Sequence, residues 1–136
     1  WIARDVRQTV SWDIADAGNS PTDSHIKFRQ VQGWDIATGV LVLTDDYVEY
    51  TYDPNAHTIT RRLLDVSGNV LGTWMMKNIV QPPFYTRDNL GNMVPLSGGN
   101  LLTSRVLVIA VSGEKQVRPG FNVAAALTEE VKIRNE

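Results

Sequence analysis

The stretch Tyr47–Leu64, YVEYTYDPNAHTITRRLL, decides the fold class of this chain. On both sides of Pro54-Asn55, apolar or aromatic side chains alternate with polar ones, and this period of two is typical of a half-buried β-strand. Proline and asparagine favour a chain reversal, because proline fixes one backbone angle and asparagine tolerates left-handed backbone. The stretch therefore predicts a β-hairpin.

Similar patterns predict further strands before and after the hairpin. Period-two alternation or short apolar runs mark the segments that begin at Ser24 or cover 40–43, 70–80, 101–111 and 123–133. Together with the hairpin, they predict about six strands. The connections between strands are too short for parallel crossovers, so the sheet should be largely antiparallel.

Glycine, proline, aspartate and asparagine cluster between these segments and predict turns and loops. A loop should cover 13–23, a turn-rich excursion 33–39, and a turn 112–115. The segment 81–100 is rich in proline and glycine, and it predicts a long surface connection.

The first twelve residues predict the end of an amphipathic helix. Apolar side chains at Ile2, Val6 and Val10 share one helical face, and the other side is polar, with Arg4, Asp5, Arg7 and Gln8. Because the pattern is in phase from the first residue, we expect a longer helix upstream of this stretch. The apolar stripe should dock on the β-sheet.

The length indicates a single domain. One helix followed by strands makes it an α+β domain, with the N-terminal helix packed on a largely antiparallel sheet. The domain should cover residues 1–136, with the helical end at 1–12 and a β-rich body at 24–133. The hydrophobic fraction of 43% suits an ordered protein, and a net charge of −2 without a basic run argues against a nucleic-acid partner. The chain has no cysteine, which excludes disulfides, thiol catalysis and thiolate metal sites.

Three short motifs, in this order, resemble those of the pseudopilins of type II secretion and the minor type IV pilins. They are RDVRQT at 4–9, VEYTYD followed by TITRR within 48–62, and VKIRN at 131–135. In the J-type pseudopilins and W-type minor pilins, an upstream helix ends in a similar Arg-Asp-Ile-Arg-Gln stretch. In these families a strand of alternating tyrosines also leads to an arginine after the turn.

This resemblance implies a pilin-like fold and a structural role in a filament. The full-length protein would be a prepilin with a cleaved and methylated N-terminus, anchored in the inner membrane, with this domain in the periplasm or at the cell surface. Its partners would be other pseudopilins or minor pilins in a small hetero-complex, and the motifs do not separate secretion from pilus or uptake systems. The predicted partner-binding residues are Ile2, Arg4, Val6, Arg7, Phe84 and Tyr85.

The tripeptide Asp23-Ser24-His25 contains the three side-chain types of a hydrolase triad. Neighbours on a strand point to opposite faces, so Ser24 and His25 should not hydrogen-bond as nucleophile and base. The second histidine, His57, follows the hairpin turn and suits a solvated loop. We therefore predict no catalytic residues and a protein that is not an enzyme.

Three carboxylates are candidate calcium ligands, Asp45 and Asp46 in one segment and Asp65 in another. Some G-type and K-type pseudopilins bind calcium, so the resemblance makes this chemistry relevant. The stretch 65–69, DVSGN, is also what a hairpin turn requires. We expect a turn there, and neither a metal nor another cofactor.

Aromatic side chains suggest a second class of function. Phe84 and Tyr85 follow two prolines, and Trp34 lies in the excursion at 33–39. Such side chains mark binding surfaces when they are exposed, but they can also fold back over the sheet. The alternatives to an assembly subunit are a β-rich module that binds carbohydrate or protein through these aromatics, and an unrecognised hydrolase.

Overall fold

The computed structural model describes residues 2–133, except for the side chains of 115–118 and 121–123. Within this range the chain is a mixed α/β protein, with about half of its residues in antiparallel strands and few in helices, as predicted. The strands are β1 (His25–Phe28), β2 (Val31–Asp35), β3 (Val40–Leu43), β4 (Tyr47–Asp53), β5 (Thr58–Leu64), β6 (Val70–Met76), β7 (Phe84–Arg87), β8 (Met93–Pro95), β9 (Val106–Arg118) and β10 (Phe121–Lys132). The helices are α1 (Ile2–Val6), α2 (Ser11–Ile14) and α3 (Gly98–Ser104), and a 3₁₀ turn covers Ala17–Asn19.

The first sheet has the order β1-β4-β5-β6 and is antiparallel throughout. Its centre is the predicted hairpin, in which Tyr47 pairs with Leu64 and Asp53 with Thr58. The Asp53 carboxylate accepts hydrogen bonds from the backbone N–H groups of Asn55 and Ala56, at 2.8 and 3.1 Å, and so closes the turn. The hairpin predicted from period-two alternation is confirmed.

The second sheet has the order β10-β9-β7-β8, and two of its strands lie where the sequence predicts a surface connection. The prediction for 81–100 is wrong, because Phe84 pairs with Ile109 of β9 and Tyr85 with Pro95 of β8. Alternate side chains of β7 are buried. This short period of two is hidden in the sequence by the neighbouring prolines and glycines.

The structure also differs from the strand and the turn predicted between 101 and 115. Leu101 belongs to α3, which begins after Ser97, whose hydroxyl accepts a hydrogen bond from the Asn100 N–H at 3.2 Å. β9 then continues through 112–115, because β10 pairs with it along this whole length. The chain reverses instead at 119–120, where Gly120 has a φ of 74°.

β2 and β3 form a separate two-stranded sheet, called here the ribbon. The predicted excursion at 33–39 is the second half of β2 together with the tip of the ribbon. Trp34 pairs with Leu41, and Asp35 with Val40. The described chain thus has ten strands in two sheets and a ribbon, where the sequence predicts about six in one sheet.

The two sheets and the N-terminal segment share one hydrophobic core. Tyr50 of the first sheet and Phe84 of the second meet edge to face, with ring centroids 6.5 Å apart. Other fully buried side chains come from the helices and from both sheets, among them Val6, Ile14, Ile26, Phe28, Ile59, Leu101 and Leu107. The shared core couples the two sheets.

The N-terminal segment consists of two short helices and not of one continuous helical end. α1 ends at Val6, and Val10 has an extended backbone with φ −119° and ψ 151° before α2 begins. The Thr9 hydroxyl donates to the Arg29 carbonyl at 2.5 Å. This bond to the chain after β1 competes with the helical pattern, which accounts for the break.

The burial of α1 only partly follows the predicted amphipathic pattern. Ile2 and Val6 belong to the hydrophobic core, but Asp5, predicted on the polar face, is only 2% exposed. Trp1 of the predicted helical end, and residues 134 and 135 of the terminal motif, lie outside the described residues. None of the helices in 2–133 is long and apolar enough to cross a membrane.

Candidate functional site

Asp5 joins α1 to the first sheet through a buried polar cluster. Its carboxylate accepts a hydrogen bond from the Tyr50 hydroxyl at 2.6 Å and another from Arg61 Nε at 2.7 Å. The Arg61 guanidinium also lies over the Trp74 ring, 4.8 Å from its centroid. Burial, and then the hydrogen bond to Asp5, raise the pKa of the Tyr50 hydroxyl above its ordinary value. α1 is therefore held by a paired charge as well as by apolar packing.

A second buried carboxylate, Asp13, holds α2 against the end of β1. Arg29 donates to it from the backbone N–H at 2.5 Å, from Nη2 at 2.7 Å and from Nε at 3.2 Å. The hydrogen bond to Asp13 raises the pKa of Arg29. At the surface, Arg7 pairs with Glu129 of β10. Residues 2–13 are thus tied to both sheets by ion pairs.

The partner-binding residues predicted in α1 and just after it divide between surface and core. Arg4 and Arg7 are exposed, whereas Ile2 and Val6 are buried within the domain. An apolar groove of about 180 Å³ lies beside α1 and is lined by Ile2, Ala3, Met76, Ile109, Val111, Leu127 and Glu129. Because Arg7 pairs with Glu129, the positively charged Arg7 guanidinium lies at the rim of this groove.

Phe84, predicted to bind a partner, is fully buried and offers no surface. Pairing of β7 with β9 turns its ring inward, against Tyr50. Tyr85 lies on the opposite face of β7 and is partly buried, and this burial raises the pKa of its hydroxyl. Phe84 is therefore buried as a member of the second sheet and does not fold back over a sheet from a loop, as the alternative interpretation predicts.

The histidine of Asp23-Ser24-His25 does not meet the serine. One ring nitrogen of His25 lies 3.0 Å from the Ser20 carbonyl oxygen, and the other lies 2.9 Å from a Glu49 carboxylate oxygen. The Ser24 hydroxyl donates to Asp23 at 3.0 Å. The His25–Glu49 hydrogen bond raises the pKa of His25 and lowers that of Glu49. The prediction that Ser24 and His25 do not hydrogen-bond is confirmed.

The candidate calcium ligands come from two segments. Asp45 and Asp46 lie between β3 and β4, and Asp65 lies in the turn after β5, at the same end of the hairpin. The Asp65 carboxylate accepts hydrogen bonds from the N–H groups of Asn69 and Ser67, both at 2.9 Å, and those from Asn69 do most to lower its pKa. Within the described residues, no three Asp, Glu, His or Cys side chains are grouped as metal ligands. The turn predicted at 65–69 is confirmed.

The ribbon exposes apolar side chains on both faces. Trp34 on one face and Val40 on the other are each 58% exposed, and Ile36 at the tip is 96% exposed. β2 and β3 pack mainly against each other, and an isolated two-stranded hairpin is at best marginally stable in water. The apolar side chains on both faces of this hairpin are therefore exposed to solvent in the described chain.

Trp34 is a candidate binding residue from the sequence alone, but the ribbon that carries it is not predicted. Its base is closed by the Thr44 hydroxyl, which accepts from the Gln30 N–H at 3.1 Å, and by the Thr44 N–H, which donates to the Gln30 carbonyl at 2.8 Å. The signal that indicates it in the sequence is the apolar run at 40–43, which requires a pairing strand nearby. Glycines at 33 and 39 obscure that strand.

Comparison with known proteins adds no relative from which a function can be transferred. A scan against protein-family models, a search of curated proteins and a search of solved structures each found no match to this chain. The anchored N-terminal segment and the exposed ribbon are therefore the features from which function is argued.

Proposed function

We propose that this chain is a structural subunit of a pilus-like filament, a minor pseudopilin or minor pilin that works by binding other subunits. The observation that carries the proposal is the ribbon, whose apolar side chains are exposed on both faces and at the tip. An assembling subunit needs such a surface, whereas large apolar patches are rare on monomeric proteins. The three motifs that resemble those of pseudopilins and minor pilins suggest the kind of assembly.

The N-terminal segment supports the same proposal. In a pilin-like arrangement, the N-terminal helix packs on the sheet and also meets neighbouring subunits. α1 buries Ile2 and Val6 and exposes Arg4, and the exposed Arg7 follows α1 at the rim of the apolar groove. The buried Asp5–Arg61 pair resists separation of α1 from the sheet, because either charge alone would be left in a low-dielectric site.

The proposal implies a membrane-anchored precursor. The gene upstream of Trp1 should encode a short basic leader followed by about 20 apolar residues, enough for a helix that crosses a bilayer. The domain itself would face the periplasm or the cell surface, with sister pseudopilins or minor pilins as partners. Sequencing upstream of this stretch checks the proposal directly, and a cytosolic domain in that position would contradict it.

Trp34 favours a second candidate, a β-rich module that binds carbohydrate or protein through an exposed aromatic. Sites for small ligands combine an apolar wall with a few well-placed polar groups. Trp34 shares its face of the ribbon with Leu41 and lies near the exposed Ile36, so its surroundings are apolar. These neighbours favour a protein over a sugar as the occupant.

The main test measures complex formation with soluble domains of the pseudopilins or minor pilins encoded beside this protein's gene. Light scattering of mixed samples should give the mass of a small hetero-complex. Trp34→Ser combined with Ile36→Lys should abolish it, because a charge would be buried in an apolar interface. The control is Leu90→Lys, a change from an apolar residue that is 87% exposed and lies outside the ribbon.

Charge reversal at Arg4 and Arg7 tests the second surface. The double variant should weaken the hetero-complex through lost charge complementarity. The variant loses the Arg4–Asp5 contact at 3.5 Å and the exposed Arg7–Glu129 pair, and it places a like charge beside each carboxylate, so circular dichroism must show that the domain is still folded. Failure to bind any of these domains, together with tight binding of an oligosaccharide through Trp34, would replace the proposal with the second candidate.

A further inference from the structure

His25, at the start of β1, has a hydrogen-bond acceptor at each of its two ring nitrogens. Nδ1 lies 3.0 Å from the Ser20 carbonyl oxygen, and Nε2 lies 2.9 Å from a carboxylate oxygen of Glu49. A neutral imidazole carries one N–H group, whereas the imidazolium carries two. Both hydrogen bonds can therefore form together only when the ring is protonated or when Glu49 itself carries the proton.

Glu49 is ionised at neutral pH, so the second proton must lie on the His25 ring. The hydrogen bond to His25 lowers the pKa of Glu49, and the positive charges of Arg62 and Lys27 act in the same direction. Lys27 pairs with Glu49 in the register of β1 and β4, and Arg62 Nη1 lies 3.9 Å from Glu49 Oε1. The charge state of His25 therefore decides whether one or two hydrogen bonds form.

The Ser20 carbonyl belongs to the loop between α2 and β1, where the backbone is strained. Ser20 ends the 3₁₀ turn with φ 49° and ψ 55°, in the left-handed region that disfavours residues with a side chain. The two carboxylates of this loop are directed elsewhere, because Asp16 caps the 3₁₀ turn and Asp23 accepts from the neighbouring Ser24 hydroxyl. The hydrogen bond from His25 stabilises the strained conformation, so its loss favours release.

The hydrogen bond to Glu49 should outlast the one to Ser20 when the His25 ring loses a proton. A hydrogen bond to a carboxylate is roughly twice as strong as one between neutral groups. The Glu49 side chain is only 18% exposed, whereas Ser20 is exposed and can bond to water instead. Neutral His25 should therefore keep its proton on Nε2, which leaves the Nδ1 lone pair facing the Ser20 carbonyl oxygen.

We propose that His25 is a pH-dependent switch, which holds Ser20 against the first sheet when the imidazole is protonated and releases it when the imidazole is neutral. The released part is short, because both of its flanks have other bonds. The Asn19 side-chain amide donates to the Asp13 carbonyl at 2.8 Å, and the Thr22 N–H donates to the His25 carbonyl at 2.8 Å. The switch therefore changes the conformation of the loop and not the fold.

The release should occur above the ordinary pKa of a histidine. The hydrogen bond to Glu49 does most to raise the pKa of His25, and it outweighs burial and the positive charge of Lys27, which lower it. The protonated, holding form is therefore stable to a higher pH than in an exposed histidine. The switch uses neither the ribbon nor α1, so it does not depend on the proposed function.

Nuclear magnetic resonance of the isotope-labelled chain between about pH 5.5 and about pH 9 tests the switch. The ring ¹⁵N shifts of His25 should show both nitrogens protonated at the lower pH and only Nε2 protonated at the higher pH. The ¹³Cα shift of Ser20 should move towards that of an unfolded serine with the same midpoint. Gly68, in a turn without a histidine and also with a positive φ, is the internal control and should not shift.

Glu49→Gln should remove the pH dependence without removing the hydrogen bonds. Glu49 Oε1 faces Arg62 and Oε2 faces His25, so a glutamine would direct its oxygen to Arg62 and its NH₂ group to His25 Nε2. Neutral His25 would then accept at Nε2 and still donate from Nδ1 to Ser20. The Ser20 shift should therefore be the same at both ends of the titration.

His57→Asn is the matched control, because it removes the chain's other histidine. His57 has a φ of 55°, which asparagine tolerates. This variant should keep the full pH-dependent shift of Ser20. Circular dichroism checks that both variants are folded, and the ring and Ser20 shifts of the natural chain test the proposal without them.

Three outcomes would overturn the proposal. The first is a Ser20 ¹³Cα shift that stays constant while the His25 ring titrates. The second is a neutral His25 ring with its proton on Nδ1, since Ser20 would then remain held. The third is a pH-dependent Ser20 shift that survives in folded Glu49→Gln.

Discussion

Replacing Asp5 with alanine should lower the unfolding free energy by about 3–5 kcal/mol, because it leaves a buried charge without its partner. The lost carboxylate accepts hydrogen bonds from the Tyr50 hydroxyl at 2.6 Å and from Arg61 Nε at 2.7 Å. Tyr50 is fully buried, and the Arg61 side chain is only 14% exposed, so water replaces the carboxylate poorly at either group. The unfolding free energy of a domain is usually about 5–15 kcal/mol, so the variant should lose a large share of its stability.

The assay is urea unfolding followed by circular dichroism, supported by a thermal scan. For a chain of 136 residues, 1 kcal/mol corresponds to roughly 3 °C in Tm, so Asp5→Ala should unfold about 10–15 °C earlier. The matched control is Arg62→Met. Arg62 follows Arg61 on β5, faces the other way, is about half exposed and lies 3.9 Å from Glu49. Its loss should cost less than about 1 kcal/mol.

A double-mutant cycle separates the ion pair from simple loss of packing. Asp5→Leu and Arg61→Met should each be destabilising, because Asp5→Leu leaves Arg61 without its carboxylate and Arg61→Met leaves Asp5 with only the Tyr50 hydroxyl and a 3.5 Å contact to the exposed Arg4. The combined variant should be more stable than the sum of the two losses by about 1–3 kcal/mol, since no unpaired charge remains. Additive losses, or a loss below about 1 kcal/mol for Asp5→Ala, would refute the reasoning.

Three further predictions concern the core, the turns and the partly buried His25–Glu49 pair. Val6→Asp should lower Tm by about 10 °C or more, because it puts a charge at a fully buried position, and an unchanged thermal scan would contradict the packing of α1. A chelator should change the unfolding free energy by less than about 0.5 kcal/mol, because the Asp65 carboxylate already accepts hydrogen bonds from Asn69. A larger loss of stability would support the calcium hypothesis. The His25–Glu49 pair should stabilise most between pH 4.5 and 6.5, the ordinary pKa values of the two groups. Its contribution should disappear as pH falls through the lowered pKa of Glu49 or rises through the raised pKa of His25, and urea titrations of His25→Gln should lack both changes.

Part of the candidate site is evident in the sequence, and part depends on contacts between distant residues. Trp34 is conspicuous as an aromatic in a turn-rich stretch. Its exposure cannot be recognised from the sequence, because the burial of an apolar side chain depends on whether another element covers it. Phe84 shows the opposite outcome, since pairing of β7 with β9 buries a ring that follows two prolines.

Local sequence patterns specify the β4–β5 hairpin and the turns closed by Asp53 and Asp65, because side-chain alternation and turn chemistry act within a few residues. The break after α1, the strands within 81–100 and the burial of Asp5 depend instead on contacts between residues far apart in the sequence. From the sequence alone, a carboxylate close to two arginines is expected to be exposed to water. Tyr50 and Arg61, separated from it by 45 and 56 residues, make its burial favourable by supplying the hydrogen bonds and the opposite charge that replace water.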